Sequence, residues 1–197
     1  MQLFSFLLQC EPWISWQVRH YTKGVPLDCA RRSYNRRMNF RQLPLALEAT
    51  VEVKHLDFLD HMNVMWYIHF FDAAVWNFYN SVGFGHEYHT KTGSGSFAIE
   101  THVRYFAELR AGDKFMVYIR ALKRNAKLFH FIEFMVRAKD GELAATQELL
   151  GVHIDMKTRR SSPMPDEIGR MWDRLIAEHN ALDWEPPVSG SIVIASE

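Results

Sequence analysis

The sequence predicts an α+β domain in which an antiparallel sheet curls around one long helix. Three features support this prediction: a strand pattern beginning at Leu45, a long and largely apolar helix pattern after it, and four further strand patterns closed by a second helix. With 197 residues, of which 48% are hydrophobic and 23% charged, the chain is long enough for one ordinary core. We therefore expect a single folded domain.

The first strand and the long helix are the clearest elements. Side chains alternate from Leu45 to Lys54 with the period of two that is typical of a strand. From Val64 to Val82 apolar residues recur at spacings of three and four, and Gly83 provides a stop, so we expect a helix of about five turns. Aromatic residues such as Trp66 and Trp76 extend its apolar surface around most of the circumference, which predicts that other structure wraps it.

The rest of the domain has the pattern of a meander of antiparallel strands followed by a helix. Strand patterns occur at 99–105, 115–122, 128–138 and 143–154, and a helix pattern occurs at 165–182. We accordingly assign residues 45–182 to the domain. The tail at 183–197 contains Pro186, Pro187 and Gly190 and has the composition of a flexible end.

Residues 1–44 differ from the domain in composition. They are rich in arginine and poor in acidic residues, and their apolar start makes a poor secretory signal because no positive segment precedes it. A transit segment, a peripheral arm and sequence upstream of a start at Met38 all stay open. We treat the segment as a loosely attached N-terminal extension.

Composition excludes several classes of function. Lys and Arg together number 23, as do Asp and Glu, so no global field attracts nucleic acid or an anionic membrane. No apolar run approaches the roughly 18 to 20 residues that cross a bilayer. The two cysteines, Cys10 and Cys29, cannot form a disulfide framework or a clustered thiolate site and fit a reducing compartment. We expect a cytoplasmic protein.

One dense polar cluster, His55 to Asn63, lies between the first strand and the long helix. Helix capping by Asp60 or Asn63 is one interpretation of it. A metal site is a second, weakened because the paired His-x-His spacing is missing. In a third, a carboxylate near the helix N-terminus attacks an acyl carbon, or activates water to do so, while amides stabilise the oxyanion. A thioester suits this chemistry because its thiolate leaves readily.

These residues resemble a known family. The segment DFLDHMNVMWY at 57–67, followed by FFDAA at 70–74, resembles the loop and helix start of hotdog-fold acyl-CoA thioesterases of the 4-hydroxybenzoyl-CoA thioesterase-like group. In that family the loop reads Asp, two variable residues, Gly, His, a hydrophobic residue and Asn. The segments AATQE at 144–148 and VHIDMKTRR at 152–160 are similar to the carnitine-pathway and betainyl-CoA thioesterase type. The resemblance covers roughly 45–168.

The resemblance implies roles for residues of the cluster. Asp57 falls on the catalytic carboxylate, as general base or nucleophile, and His61 and Asn63 fall on the pair that shapes the helix start. Amides from Met62 to Val64 would form the oxyanion hole. Asp60 stands where the family usually has Gly, so its side chain would fill space near the thioester or raise the pKa of Asp57 by like-charge repulsion.

Other residues are candidates for substrate binding. Glu100 lies on a strand that runs near the site in a hotdog dimer. Arg104 and Lys127 are candidate contacts for coenzyme A phosphates. Trp66, with Tyr67 and Trp76, offers aromatic faces to a cationic acyl group, although packing in the core is the competing interpretation.

The activity implied by the resemblance is hydrolysis of a small, polar or cationic acyl-CoA to free acid and coenzyme A. It requires no metal and no redox cofactor, and it implies a homodimer or homotetramer whose sites take residues from two chains. Two alternatives stay open. One is a non-catalytic acyl-CoA-binding hotdog protein, and the other is a hotdog dehydratase or hydratase.

Overall fold

The computed structural model describes residues 38–195, so the prediction for the N-terminal extension lies outside the described residues up to residue 37. The predicted order of a strand, a long helix, four strands and a helix is confirmed, and a short helix and a two-residue strand are added to it. The elements are β1 (Leu45–Thr50), α1 (Val64–Ser81), α2 (His86–Thr92), β2 (Ser94–Tyr105), β3 (Lys114–Arg124), β4 (Leu128–Arg137), β5 (Leu143–Asp155), β6 (Arg160–Ser161) and α3 (Asp166–Asn180).

The strands form one antiparallel sheet in the order β1-β3-β4-β5-β2, and β6 adds to β5. Helix α1 lies on one face, where Phe71 and Phe78 are buried in the same cluster as Phe115 and Phe131 of the sheet. The residues after α3 cover part of the other, outer face. This is the α+β architecture of a sheet curled around a central helix, as the sequence predicts.

Helix α1 begins where the sequence predicts it. The side chain of Asn63 caps it by accepting a hydrogen bond from the Met65 amide at 3.0 Å. The sequence predicts that other structure covers most sides of this helix. In the structure only the side that faces the sheet is covered, and three apolar residues of the first half are exposed to solvent. These are Val64, Met65 and Ile68, with exposed fractions of 59%, 62% and 43%.

Strand β1 is shorter than the alternation predicts. It ends at Thr50 because the Val51 amide then bonds the Asp113 carbonyl and the chain turns into a 3-10 helix at Val53–His55. A register shift between Leu45 and Leu47 also breaks the regular alternation. The alternation of side chains in the sequence predicts neither the early end of the strand nor the register shift.

Residues 184–195 pack against the outer face of the sheet, in contrast to the flexible tail that their composition indicates. Trp184 is buried, its carbonyl accepts a hydrogen bond from Arg120 Nη1 at 2.7 Å, and its ring lies 4.4 Å from the Arg120 guanidinium. The Ser189 amide donates to Glu148 Oε2 at 2.6 Å, and Ile194 is buried nearby. The buried Trp184 before the prolines and the buried Ile192 and Ile194 after Gly190 hold this segment in place.

A buried carboxyl group lies between α1 and the sheet. Glu133 on β4 is fully buried, and its Oε2 accepts a hydrogen bond from Gln147 Nε2 at 2.8 Å. Its other oxygen makes no hydrogen bond within residues 38–195. Burial raises the pKa of Glu133 well above its ordinary value, opposed by the Gln147 hydrogen bond and reinforced by the charge of Asp72.

This pKa shift predicts a pH-dependent penalty on stability. The unfolded chain releases the Glu133 proton at lower pH than the folded chain does, so the folded state loses stability as pH rises above the unfolded pKa. We expect Glu133→Gln to raise the free energy of unfolding by about 1–3 kcal/mol at pH 8, with a smaller gain near pH 4. Urea unfolding at the two pH values measures this. The exposed Glu178→Gln is the control, and a gain for Glu133→Gln that does not grow with pH would contradict the account.

Candidate active site

The polar cluster between β1 and α1 folds into a small antiparallel hairpin. The Asp57 amide donates to the His61 carbonyl at 3.0 Å, and the Asn63 amide donates to the His55 carbonyl at 2.9 Å. Leu56 and Met62 bridge each other between these pairs and join the apolar core. Because side chains alternate between the two faces of a hairpin, Asp57 and His61 lie on the face opposite this pair. His55 and Asn63 form the backbone-paired positions at the base of the hairpin.

The tip of the hairpin explains the unusual residue at position 60. The Asp60 amide donates to the Asp57 carbonyl at 3.2 Å and closes the turn, and Asp60 has a φ of +61°. This left-handed conformation favours Gly, and Asp is among the few other residues that adopt it readily. The Asp60 side chain is exposed. The position therefore requires a backbone conformation that Asp can supply, rather than the absence of a side chain.

Asp57 is held by two groups of its own hairpin. Its Oδ1 accepts a hydrogen bond from the Leu59 amide at 2.8 Å, and its Oδ2 lies 3.4 Å from His61 Nδ1. The Asp57 side chain is only 18% exposed and that of His61 34%. A carboxylate oriented by an amide and an imidazole, and still reachable from solvent, has the geometry of a general base or a nucleophile.

The start of α1 offers one free amide, seven residues after Asp57 in the chain. The Met62 amide donates to the Leu109 carbonyl at 2.7 Å and is not available to a substrate, in contrast to the expectation for this residue. The amides of Asn63 and Met65 are also occupied, by the His55 carbonyl and the Asn63 side chain. Among residues 38–195, the Val64 amide has no partner. The free N–H at the positive end of the helix dipole is suited to an oxyanion.

One of the three candidate aromatic residues lies beside the hairpin. The half-buried Trp66 ring packs on His55, with centroids 4.3 Å apart. Tyr67 is buried, and its hydroxyl donates to the Ala107 carbonyl at 3.4 Å. Trp76 stacks on His86 with centroids 4.5 Å apart and lies ten residues, or about 15 Å, further along the helix.

Glu100 and Arg104 on β2 have partners outside the hairpin. Glu100 Oε1 lies 2.7 Å from His102 Nε2. Arg104 Nη1 donates to the Pro187 carbonyl at 3.1 Å, and its guanidinium lies 5.1 Å from the Phe106 ring. The contact with Pro187 places Arg104 on the outer face of the sheet, among the C-terminal residues.

Lys127 lies at the far end of the sheet from the hairpin. Strand β3 begins at Lys114, which pairs with Thr50 just before the hairpin, and ends at Arg124. Its 11 residues span roughly 35 Å. The exposed Lys127 follows in the next turn. Within one chain it is therefore distant from Asp57.

The sequence interpretation omitted His55 from the candidate site. The structure pairs its carbonyl with the Asn63 amide at the base of the hairpin and buries its ring against Trp66. A signal was available, since a turn at 58–60 that brings 57 opposite 61 also brings 55 opposite 63.

Between residues 38 and 195, no three His, Cys, Asp or Glu side chains converge on a point where they could hold a metal ion. Over the same residues, no helix has the length and hydropathy needed to cross a membrane.

Comparison with known proteins places the chain in a family. The sequence pattern of the thioesterase-like superfamily matches residues 51–171, and the chain belongs to this superfamily. This match includes the hairpin, α1 and the sheet from β2 to β6. The antiparallel sheet and its helix are the hotdog fold of these proteins.

The chain is similar to curated proteins whose names include betainyl-CoA thioesterase. The chain is 31% identical over 136 residues to an L-carnitine dehydrogenase/betainyl-CoA thioesterase of Agrobacterium fabrum, covering 68% of this chain and 28% of the relative. It is 22% identical over 141 residues to a betainyl-CoA thioesterase of Pseudomonas aeruginosa, covering 72% and 89% respectively. The chain thus spans less than a third of the Agrobacterium protein.

Solved structures share the fold. A Staphylococcus aureus protein solved in complex with CoA superposes with a TM-score of 0.68 and 26% identity, over 79% of this chain and 97% of that one. A 1,4-dihydroxy-2-naphthoyl-CoA thioesterase from Synechocystis superposes with a TM-score of 0.58 and 17% identity, over 69% and 97%. The second likeness concerns the fold alone.

Proposed function

We propose that this protein hydrolyses an acyl-CoA thioester to a free acid and coenzyme A, with Asp57 as the catalytic carboxylate. One observation carries the proposal: the Asp57 carboxylate, oriented by Leu59 and His61, lies on the hairpin that leads directly into the free Val64 amide of α1. Membership of the thioesterase-like superfamily supports the same chemistry.

The reaction can proceed by two routes at this site. As a general base, Asp57 takes a proton from water while the water oxygen bonds to the thioester carbon. As a nucleophile, it forms an anhydride that water then hydrolyses. In both routes the carbon–sulfur bond breaks, the thiolate leaves and takes up a proton, and the Val64 amide stabilises the oxyanion. The proposal requires neither a metal nor a redox cofactor.

A small, polar or cationic acyl group is the proposed substrate class. Relatives named betainyl-CoA thioesterases support it, because betaine carries a quaternary ammonium group. Trp66 supports it from the structure, since its half-buried ring lies next to the hairpin and an aromatic face attracts a cation.

The proposed active form is a homodimer, with a homotetramer as the larger alternative, in the cytoplasm. Strand β2 is a 12-residue edge strand whose Ile99 and Tyr105 are 55% and 47% exposed, which suits pairing with a second copy. The exposed apolar residues at the start of α1 lie next to the candidate site. In such an assembly the partner supplies Lys127 or Glu100 to the site, and coenzyme A phosphates meet Lys127 and, at the outer face of the sheet, the N–H groups of Arg104 that do not donate to Pro187.

Release of free thiol tests the proposal. Wild-type protein is incubated with a panel of short, branched, aryl and betainyl acyl-CoAs, and thiol is measured with and without a chelator. We expect release from small polar or cationic substrates, unaffected by chelator. Binding of coenzyme A without release would identify a non-catalytic binder. Addition or loss of water with the thioester intact would identify a hydratase or dehydratase.

A further inference from the structure

We infer that His55 is a positioning residue of the candidate site: its Nδ1 atom holds the turn at 52–55 from which the Asp57 hairpin starts, its ring packs against α1, and together these contacts form a His55 lock. The kinetic part of this inference rests on the proposed function. The structural part, a hydrogen bond with a defined tautomer, does not.

His55 makes two hydrogen bonds to Glu52, which precedes the cluster, and one to Asn63 at the far end of the cluster. Its Nδ1 accepts from the Glu52 amide at 2.9 Å, and its own amide donates to the Glu52 carbonyl at 2.9 Å. Its carbonyl accepts from the Asn63 amide at 2.9 Å. Because the Glu52 group is an N–H donor, Nδ1 must be unprotonated, so the neutral ring carries its proton on Nε2.

Packing fixes the ring in this orientation. His55 is 3% exposed, and its ring centroid lies 4.3 Å from that of Trp66 and 5.2 Å from that of Phe70. Both aromatic residues belong to the first turns of α1. The imidazole therefore joins the turn that starts at Glu52 to the first turns of α1.

Main-chain hydrogen bonds connect His55 to both functional groups of the site, the Asp57 carboxylate and the Val64 amide. The Asn63 residue held by the His55 carbonyl is also the cap of α1, so it sets the position of the free Val64 amide. The Asp57 and His61 pair closes the same hairpin one step further out. Loss of the Nδ1 contact should therefore shift the carboxylate relative to the oxyanion donor, which lowers the rate of the chemical step.

Protonation of His55 breaks the hydrogen bond between the Glu52 amide and His55 Nδ1. Once Nδ1 carries a proton, both groups are donors and neither can accept. Burial lowers the pKa of His55; the Glu52 carboxylate opposes this, and Lys54 and His69 of α1 add to it. The lock is accordingly closed at neutral pH and opens as pH falls.

Matched substitutions separate the lock from simple packing. In His55→Asn the amide oxygen can take the place of Nδ1, whereas His55→Gln places its amide nearer to Nε2 and His55→Phe keeps only the packing. We expect kcat at pH 7.5 to fall about tenfold to hundredfold for His55→Gln and His55→Phe and to change little for His55→Asn. The acidic limb of kcat/KM against pH should move to lower pH in His55→Asn.

Nuclear magnetic resonance provides the readout that is independent of activity. Nitrogen-15 correlation spectra of the ring should show the proton on Nε2, and the Glu52 amide should be protected from exchange in wild type and His55→Asn but not in His55→Gln. A proton on Nδ1, or equal protection in Asn and Gln variants, would overturn the inference whether or not thiol is released. Thiol release unchanged in His55→Phe would overturn its kinetic part, whereas a wild type without activity would count against the proposed function alone.

Discussion

Replacing Asp57 with Asn is expected to lower kcat for thiol release by at least about 100-fold. Asn has the same shape, and its side-chain oxygen can still accept the hydrogen bond from the Leu59 amide that the carboxylate accepts at 2.8 Å. The hairpin should therefore persist while the negative charge and the proton-accepting group are lost. Steady-state kinetics on the best substrate of the panel, with circular dichroism to verify folding, measure the effect.

A matched control lies three residues away in the same turn. Asp60→Asn removes the same charge, its side chain is exposed, and Asn tolerates the left-handed φ of +61° at this position. We expect this variant to keep most of the wild-type activity. Activity that survives in Asp57→Asn would contradict the assignment of the catalytic carboxylate and move attention to Glu100 and His61.

Replacing Trp184 with Ala is expected to lower the free energy of unfolding by about 3–5 kcal/mol, the range for removal of a large buried aromatic side chain. Trp184 is 5% exposed, and its ring contacts those of Phe40 and Phe134. The substitution also removes the aromatic face from the Arg120 guanidinium, which is 3% exposed. Urea unfolding followed by circular dichroism measures the loss.

The same segment supplies the control for this prediction. Val193 is 78% exposed, so Val193→Ala should change stability by less than about 0.5 kcal/mol. Equal unfolding midpoints for the two variants would mean that the C-terminal residues do not anchor to the sheet. A selective loss in Trp184→Ala would establish residues 183–195 as part of the folded domain.

Periodicity predicted most of the fold because the elements are long and their apolar patterns are regular. Helix α1 ends at Ser81, and the expected stop at Gly83 has a φ of +78°. Strands β3, β4 and β5 lie within a few residues of their predicted ends, since apolar residues continue along them and turn residues such as Asp140 and Gly141 separate them. Strand β2 begins at Ser94, five residues before the predicted start, because Gly and Ser residues there hid the strand pattern. Helix α2, HEYHTKT, was not predicted because it is short and has no buried residue to mark it.

The cluster that carries the candidate site was visible in the sequence, but its hydrogen bonding was not. Asp57, His61 and Asn63 come together because a local turn joins them, and a local turn can be anticipated from the residues. The Met62 amide donates a hydrogen bond to the carbonyl of Leu109, which lies in the loop between β2 and β3. No local sequence pattern predicts a contact between residues so distant in the chain. The same limit applies to Arg104, because the face of a strand depends on its register with its neighbours.

Hydrolysis in water labelled with oxygen-18 tests the central claim most directly. The protein is allowed many turnovers on its best acyl-CoA, and the acid and the free thiol are quantified by mass spectrometry. We predict one thiol for each acid and one labelled oxygen in each acid, because water supplies the new carbon–oxygen bond under either role of Asp57. An acyl-CoA recovered intact while bound to the protein, or recovered heavier by one water with its thioester unbroken, would contradict the account.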